Sequence, residues 1–444
     1  MTRTMNRHTL FAIVASFCVL SPGLAGAEPL TYRELLARIP EHSPDARAAQ
    51  ARVAAAEGEL SKVWSAWKPS VTLGGQVQYS TQQVELDFGS LLGGLATSVG
   101  ADPSTLDLPP PTVIQPHWTV AGVATVRQLL FDPSAWHGPS IARAALKAQG
   151  LAAEAATDEL RFGAAQLYAG LQTVDALEAA AQRALAVAEA RIEDARVRVD
   201  AGIAAPIEVT RAQARAAEAK SQLAQIEAQR RSLQADLQVI IGSETPVEVA
   251  KAGLPKNLGQ AGGGVEDRRD VAAQEAALKA AQHDETRTAW LWAPSLVFEA
   301  QGTATNVEGF AGNNYFGTAT LGLSFPLYDG GARYADRDTA RARLQEAQAN
   351  LRGSRLRAQA IIDKARAKLE EAQSRLSLAQ AQLTLATQAV QQVDQLHKNG
   401  LATSLDLDDA DVRRFAADRQ VAERDLDVAL SRLRLHHAQG GRLL

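Results

Sequence analysis

The sequence predicts a mostly α-helical protein that also contributes four β-strands to a membrane barrel, with long helical hairpins that are internally duplicated. Three observations support this fold class. A long coiled-coil pattern ends at Asn399-Gly400, the same pattern occurs 198 residues earlier, and runs of alternating apolar and polar residues precede both long helices. Together they indicate paired long helices with strands at one end.

The coiled-coil pattern lies in residues 358–393, where small and large apolar residues alternate at spacings of four and three. Gln, Lys, Arg, Glu, Ser and Thr fill most positions between them, as expected for solvated faces. The seam consists of Ala358, Ile362, Ala365, Leu369, Ala372, Leu376, Ala379, Leu383, Ala386, Val390 and Val393. This spacing predicts one helix that continues to the Asn399-Gly400 turn.

The same long helix occurs earlier in the chain. Subtracting 198 from the seam positions after residue 362 gives apolar residues throughout 167–195 except Glu178, and places Gly202 where Gly400 stands. The sequences after the two glycines also match, so each copy is a helical hairpin with a glycine tip. About 60 residues in each first arm correspond to roughly 90 Å, which exceeds the depth of a globular core.

Residues 1–27 have the layout of a Sec-type secretory signal peptide, with a cleavage site after Ala27. The single cysteine, Cys18, lies in this segment and lacks the small preceding residue that lipid attachment requires. We therefore expect an exported protein that is not lipidated and has no disulfide. The formal net charge of −4 becomes more negative when the two arginines of this segment are removed, so nucleic acid is not an expected partner.

Each copy starts with a shorter helix and then changes to strand periodicity. Residues 30–68 predict a helix that is interrupted near Pro40 and ends before Pro69, and the counterpart at 270–293 ends before Pro294. After each proline, apolar and polar residues alternate over runs of about ten to twelve residues, the length of a tilted strand that crosses a bilayer. The alternating positions that identify these runs lie at 71–80, 118–126, 296–301 and 318–325.

Four strands are too few to close a barrel, because about eight is the usual minimum. The chain must therefore form oligomers if its strands span a membrane. The predicted organisation is a signal peptide at 1–27, a first repeat at 28–241 with its strand pair at 70–128, a linker at 242–269, and a second repeat at 270–444 with its strand pair at 295–327.

These features resemble the TolC-type outer-membrane efflux proteins over almost the entire chain after the signal. The matching motifs are Ser43-Pro44-Asp45, Trp67-Lys68-Pro69-Ser70, Phe131-Asp132, Tyr328-Asp329-Gly330-Gly331 and the two tips. The resemblance implies a homotrimer whose strands form one barrel of about 12 strands, continued into the periplasm of a Gram-negative bacterium by a coiled-coil tunnel.

Members of this family serve as outer-membrane exit ducts of tripartite efflux pumps or type I secretion systems. The resemblance therefore implies a passive channel in outer-membrane lipid, with a periplasmic adaptor (membrane fusion) protein and an inner-membrane transporter as partners. The alternative is a periplasmic coiled-coil adaptor or scaffold without a pore, which would have one hairpin rather than two. By the same resemblance, the inner-membrane pump rather than this chain selects the exported substrate.

Acidic residues follow both tips. Asp406 and Asp409 are three residues apart and so share one helical face, and Glu208 occupies the position equivalent to Asp406 in the first copy. The resemblance implies that these carboxylates form a ring at the periplasmic entrance of the tunnel, which would favour cations. The alternative is that acids in a first turn stabilise the helix dipole, the role expected for Asp408 and Asp411.

Two other groups of residues are candidates for contact sites. The tips Gly202, Ile203, Gly400 and Leu401 would contact the adaptor by resemblance, although the glycines are also explained by the tight turn alone. Trp67, Trp118, Trp136 and Trp292 lie beside the predicted strands. These tryptophans are candidates for residues at the membrane interface. Their positions are explained equally well by packing where the helices meet the barrel.

No catalytic motif is present in the sequence. The histidines are scattered, the cysteine lies in the signal peptide, and the glycine-rich segment 262–264 lacks the lysine of a phosphate-binding loop. We therefore expect no enzymatic activity, no cofactor and no metal site.

Overall fold

The computed structural model describes residues 29–443 apart from 106, 108–110, 204, 252, 254, 256–257, 261, 309–312 and 400. The predicted signal peptide and Gly400 therefore lie outside the described residues. The helices are α1 (Tyr32–His42), α2 (Pro44–Ser65), α3 (Phe88–Ser98), α4 (Pro133–Trp136), α5 (Gly138–Asp200), α6 (Ile207–Ile241), α7 (Arg269–Thr288), α8 (Ala332–Lys398) and α9 (Ser404–Ala438). The strands are β1 (Ser70–Tyr79), β2 (Val84–Leu86), β3 (Thr112–Gln115), β4 (Trp118–Phe131), β5 (Gly259–Gln260), β6 (Ser295–Thr305), β7 (Tyr315–Ser324) and β8 (Arg442–Leu443).

The long helices form the two hairpins that the periodicity predicts. α5 packs along α6, and α8 packs along α9. The long arms α5 and α8 contain 63 and 67 residues. Every position of the predicted seam from Ala358 to Val393 is buried or half-buried, so the coiled-coil prediction is confirmed. α7 contacts both α5 and α8 and thereby joins the two hairpins.

The first short helix is interrupted slightly later than the sequence predicts. Pro40 lies inside α1, and the break between α1 and α2 falls at Ser43, whose backbone is extended with ψ of 127°. The cause is Pro44, because a proline disfavours the helical conformation of the residue before it and is itself well accommodated at the start of the next helix.

The four long strands form one antiparallel sheet in the order β1-β4-β6-β7, which confirms the predicted strand content. The register places Leu73 opposite Ala124 and Ala300 opposite Ala319, with a bulge in β4 between Leu129 and Phe131. Within the described part of the chain, β1 and β7 each pair on one side only. A single chain therefore leaves two strand edges open.

The main hydrophobic core lies around the middle of α5, far from the sheet along this helix. It joins α1, α5, the end of α6, the end of α9 and Leu443 of β8, with fully buried side chains that include Leu35, Leu36, Tyr168 and Leu237. The predicted linker packs against this core, because the Tyr168 hydroxyl donates to the Ala250 carbonyl at 3.1 Å.

The segment 81–116, which connects β1 to β4, contains secondary structure of its own. β2 pairs with β3 as a short hairpin, and α3 lies between them in sequence. Asp87 caps α3 by accepting a hydrogen bond from the Ser90 backbone N–H at 2.8 Å. The sequence did not indicate α3 because glycines at 89, 93 and 94 lower the helix propensity of this segment.

Candidate functional site

The four-stranded sheet has one apolar face and one polar face. Side chains of Val71, Leu73, Val77, Val120, Ala124, Val126, Phe298, Ala300, Ala319, Leu321 and Leu323 share the apolar face by register. The opposite face carries mainly Thr and Gln, and Arg127 lies directly opposite Glu299 there. Leu73 is 86% exposed within the single chain. Leu321 and Leu323 on the same face are 61% and 71% exposed, so much of the apolar face is open to solvent among the described residues of one protomer.

Aromatic side chains lie at both ends of this sheet. At the loop end, the rings of Trp118 and Tyr79 are 4.9 Å apart. At the helix end, Trp136 contacts Phe131 edge to face at 5.1 Å, and Trp292 contacts Tyr334 at 5.5 Å. The four tryptophans of interest are thus divided, with Trp118 at one end and Trp67, Trp136 and Trp292 at the other. Ten residues of strand separate the ends by about 33 Å.

The strand-to-helix motifs are capping structures. The Asp132 carboxylate accepts hydrogen bonds from the backbone N–H groups of Ser134 and Ala135 and starts α4. Asp329 accepts from the backbone of Gly331 and from Arg333 before α8. Gly330 and Gly331 have φ of +73° and +92°, which explains the paired glycines of this motif.

Both hairpin tips present an aliphatic side chain to solvent. Gly202 has φ of +70°, and the Ile203 N–H donates to the Arg198 carbonyl at 2.9 Å, which closes the end of α5. In the second tip, the Leu401 N–H donates to the Leu396 carbonyl at 2.8 Å in the same way. Ile203 is 80% exposed and Leu401 is 76% exposed.

The three predicted acids lie at the starts of α6 and α9, and each has a local partner. Asp406 forms a capping box with Thr403, whose hydroxyl and backbone N–H donate to it at 2.6 and 2.8 Å. These hydrogen bonds, first of all the one from the hydroxyl, hold the pKa of Asp406 below its usual value. Asp409 pairs with Arg413 at 2.8 Å, and Glu208 pairs with Arg211 at 3.0 Å. Asp406 is the one of the three without an arginine partner among the described residues.

Two neighbouring acids, Asp408 and Asp411, connect the second hairpin to the first. The sequence did not indicate this connection. Arg191 on α5 lies 2.6 Å from Asp411 and 3.7 Å from Asp408, and Arg215 on α6 lies 3.5 Å from Asp408. Asp408 and Asp411, for which a role at the dipole of their own helix was expected, thus also form ion pairs with the first hairpin. Asp411 is 220 residues from Arg191 in sequence, and no local pattern indicates such a pair.

A second apolar stripe runs along α8, on a face that no other element of the described chain covers. Its large members are Leu356, Leu378, Leu385 and Leu396, with Ala360, Ala367, Ala381 and Ala389 between them, and all are exposed. Leu378 and Leu385 are each 65% exposed. A separate face with Gln373 and Gln380 is polar. The sequence had indicated only the first seam, because the second is interrupted by Ser374 and Gln392.

The described residues contain neither a metal-binding cluster nor a helix suited to cross a membrane. No group of three or more His, Cys, Asp or Glu side chains there is arranged to hold a metal ion. In the same part of the chain, no helix combines the length and apolarity needed to cross a membrane.

Comparison with known proteins gives consistent matches. The family described as outer membrane efflux protein matches residues 35–243 and 265–441. Among solved structures, the chain is similar to the outer membrane protein VceC from Vibrio cholerae, with 20% identity and a TM-score of 0.73 over 92% of this chain and 96% of that one.

Two further structures have comparable similarity. CusC matches with 16% identity and a TM-score of 0.74, over 94% of this chain and 93% of that one. The open state of the MtrE outer membrane channel from Neisseria gonorrhoeae matches with 18% identity and a TM-score of 0.70, over 92% and 89% of the two chains. No curated protein sequence matches this chain.

Proposed function

The chain belongs to the outer membrane efflux protein family, and from this premise we propose that it is the exit duct of a tripartite efflux pump or a type I secretion system. Three copies would form a passive conduit from a periplasmic adaptor and an inner-membrane transporter to the exterior. The family consists of channel proteins rather than enzymes. The duct itself transfers no chemical group, so its cargo depends on the transporter.

The observation that supports this proposal most strongly is the sheet with two open edges and an exposed apolar face. A bilayer contains no water to satisfy free backbone groups, so strands can span it only in a closed barrel. Three four-stranded sheets joined edge to edge give a barrel of about 12 strands. The apolar face would then contact outer-membrane lipid, and the polar face with Arg127 and Glu299 would line the pore.

The helices support the same assembly. Leucines at 378 and 385 remain exposed after α8 has packed on α9 and α7. Burial of each leucine side chain is worth about 1.5–3 kcal/mol, which favours contact with a helix of the next protomer. Two hairpins per chain give a ring of hairpins in the trimer, and the ring would form the periplasmic tunnel.

Conductance across a planar bilayer tests the proposed function. Protein extracted in detergent from outer membranes is expected to insert and give stable single-channel steps. The competing function is a periplasmic scaffold without a pore. A soluble particle that gives no steps would contradict the duct and favour the scaffold.

We propose that Asp406, Asp409 and Glu208 line the periplasmic entrance and make it cation-selective. The double variant D406A/D409A is expected to reduce selectivity for K⁺ over Cl⁻ at least about twofold and to weaken block by Mg²⁺, because a ring of carboxylates attracts cations. Most of the change should come from D406A, since Asp409 is already paired with Arg413. The measurement is the reversal potential in a KCl gradient.

The variant D418A/D425A is the matched control for the acidic pair. It removes the same charge from exposed positions farther along α9 and should leave selectivity unchanged. Equal reversal potentials for the wild type and D406A/D409A would refute the acidic entrance while leaving the duct proposal intact.

We propose that the tips at Gly202, Ile203, Gly400 and Leu401 contact the adaptor. The variant I203D/L401D is expected to lower the amount of adaptor that copurifies with the trimer at least about tenfold, because two apolar contacts of about 1.5–3 kcal/mol each are lost. The conservative variant I203L/L401I should retain it. Trimer formation is recorded for both, and undiminished recovery of the adaptor with I203D/L401D would overturn this assignment.

A further inference from the structure

A cleft of about 300 Å³ lies where α2 and α5 meet the sheet. Its lining includes Trp64, Trp67, Trp136, Ser140 and Arg143. Three indole rings, a hydroxyl and a guanidinium therefore surround one opening. This combination provides apolar surface together with donors for an anion.

The register of the sheet indicates where this cleft lies relative to a membrane. Phe131 stands opposite Leu296 at the helix end of the sheet, and Leu296 shares the apolar face with Phe298 and Ala300. The Phe131 ring contacts Trp136 at 5.1 Å. Trp136 thus continues the apolar face beyond the helix end of the sheet. Because Trp136 also lines the cleft, the cleft begins where the apolar face ends. In the proposed barrel, this is the level of the lipid headgroups.

Arg143 supplies the cation of the cleft. Arg143 is exposed, and its guanidinium carbon lies 5.3 Å from the centre of the Trp64 ring. Within the described part of the chain, no carboxylate oxygen lies within ion-pair distance of it. A guanidinium stacked on an indole keeps its edge donors free for an anion.

The internal duplication provides a direct comparison. Arg341 is the counterpart of Arg143 at the offset of 198, and it lies 3.8 Å from both Glu285 and Asp338. The short helices before Pro69 and Pro294 correspond at an offset of 225, so the residue equivalent to Glu285 is Leu60, and the offset of 198 makes Ser140 equivalent to Asp338. The first repeat thus keeps the cation and lacks both of its acids. Aromatic residues lie near the cation in both repeats, because Trp292 and Tyr334 are the counterparts of Trp67 and Trp136.

We propose that this cleft binds the phosphodiester group of a glycerophospholipid from the surrounding bilayer. The Arg143 guanidinium and the Ser140 hydroxyl donate to the phosphate oxygens, and an acyl chain follows Trp136 onto the apolar face. The proposal rests on the proposed function, because it requires the sheet to span a membrane. Each trimer has three such sites.

Native mass spectrometry of the delipidated trimer with added phosphatidylglycerol tests the site. The wild type is expected to retain up to three lipids at concentrations where R143Q retains none, with affinity reduced about tenfold by loss of a charge-assisted hydrogen bond. R143K should keep most of the binding because it keeps the charge. R341Q, changed at the equivalent position of the other repeat, should behave as the wild type.

The outcomes separate this site from the duct itself. Equal lipid retention by R143Q and the wild type would overturn the lipid site and leave the duct proposal standing. Displacement of the lipid by millimolar inorganic phosphate would also overturn it, since the cleft would then be a site for free anions. Failure of the wild type to form a membrane-extracted trimer would overturn the duct, and the lipid site with it.

Discussion

Replacement of Leu73 by arginine is expected to prevent assembly in the outer membrane. Leu73 lies near the middle of β1 on the apolar face, opposite Ala124. A charged side chain on the lipid face near the centre of a bilayer costs about 2–4 kcal/mol, and the trimer would contain it three times. The total of roughly 6–12 kcal/mol is comparable with the stability of a whole domain, about 5–15 kcal/mol.

The adjacent residue provides the control for L73R. Thr72 lies on the same strand and faces the opposite side of the sheet, where it stands across from Thr125. T72R introduces the same charge on the face that would line an aqueous pore, so assembly should be retained. The measurement is the fraction of each variant that sediments with outer membranes in a density gradient. Similar fractions for L73R and T72R would mean that the apolar face does not contact lipid.

The variant L378E/L385E is expected to abolish the trimer. Both leucines lie on the uncovered stripe of α8 and are spaced one heptad apart, so they would contact a neighbouring helix at equivalent positions of successive heptads. Loss of two buried leucines removes about 3–6 kcal/mol per protomer. The glutamates would add the cost of burying unpaired charges.

The polar face of the same helix provides a control with the same change in charge. Gln373 and Gln380 are also seven residues apart and exposed, and Q373E/Q380E should form the trimer normally. The ratio of trimer to monomer in detergent, obtained by light scattering after gel filtration, distinguishes the two variants. A normal trimer for L378E/L385E would show that the stripe does not form the contact between protomers.

Periodic features of this fold were predictable from the sequence because they repeat over many residues. The seam from Ala358 to Val393 contains eleven positions, and the internal duplication shows the same spacing twice. The four strands followed from alternation after Pro69 and Pro294. Such patterns indicate which face of a helix or strand is buried, and they can be recognised within that helix or strand alone.

The contacts that join distant elements could not be predicted in this way. Arg191 meets Asp408 and Asp411 because α5 and α9 lie side by side near the tips, and neither helix contains a signal for its partner. The Thr403 capping box at Asp406 is different, since a Thr followed three residues later by an acid is a recognisable local motif. Trp136 is an intermediate case. Its residue type suggested the membrane interface, but its contact with Phe131 depends on the bulge in β4.

The mass and location of the native particle test the central claim most directly. The full chain, expressed with its signal, is extracted in detergent from separated membranes and weighed by light scattering. The predicted result is a trimer in the outer-membrane fraction, with a protein mass somewhat below three times the 47.2 kDa chain because each protomer has lost its signal. A soluble monomer in the periplasm would contradict the shared barrel, since the four strands would then have no membrane to span.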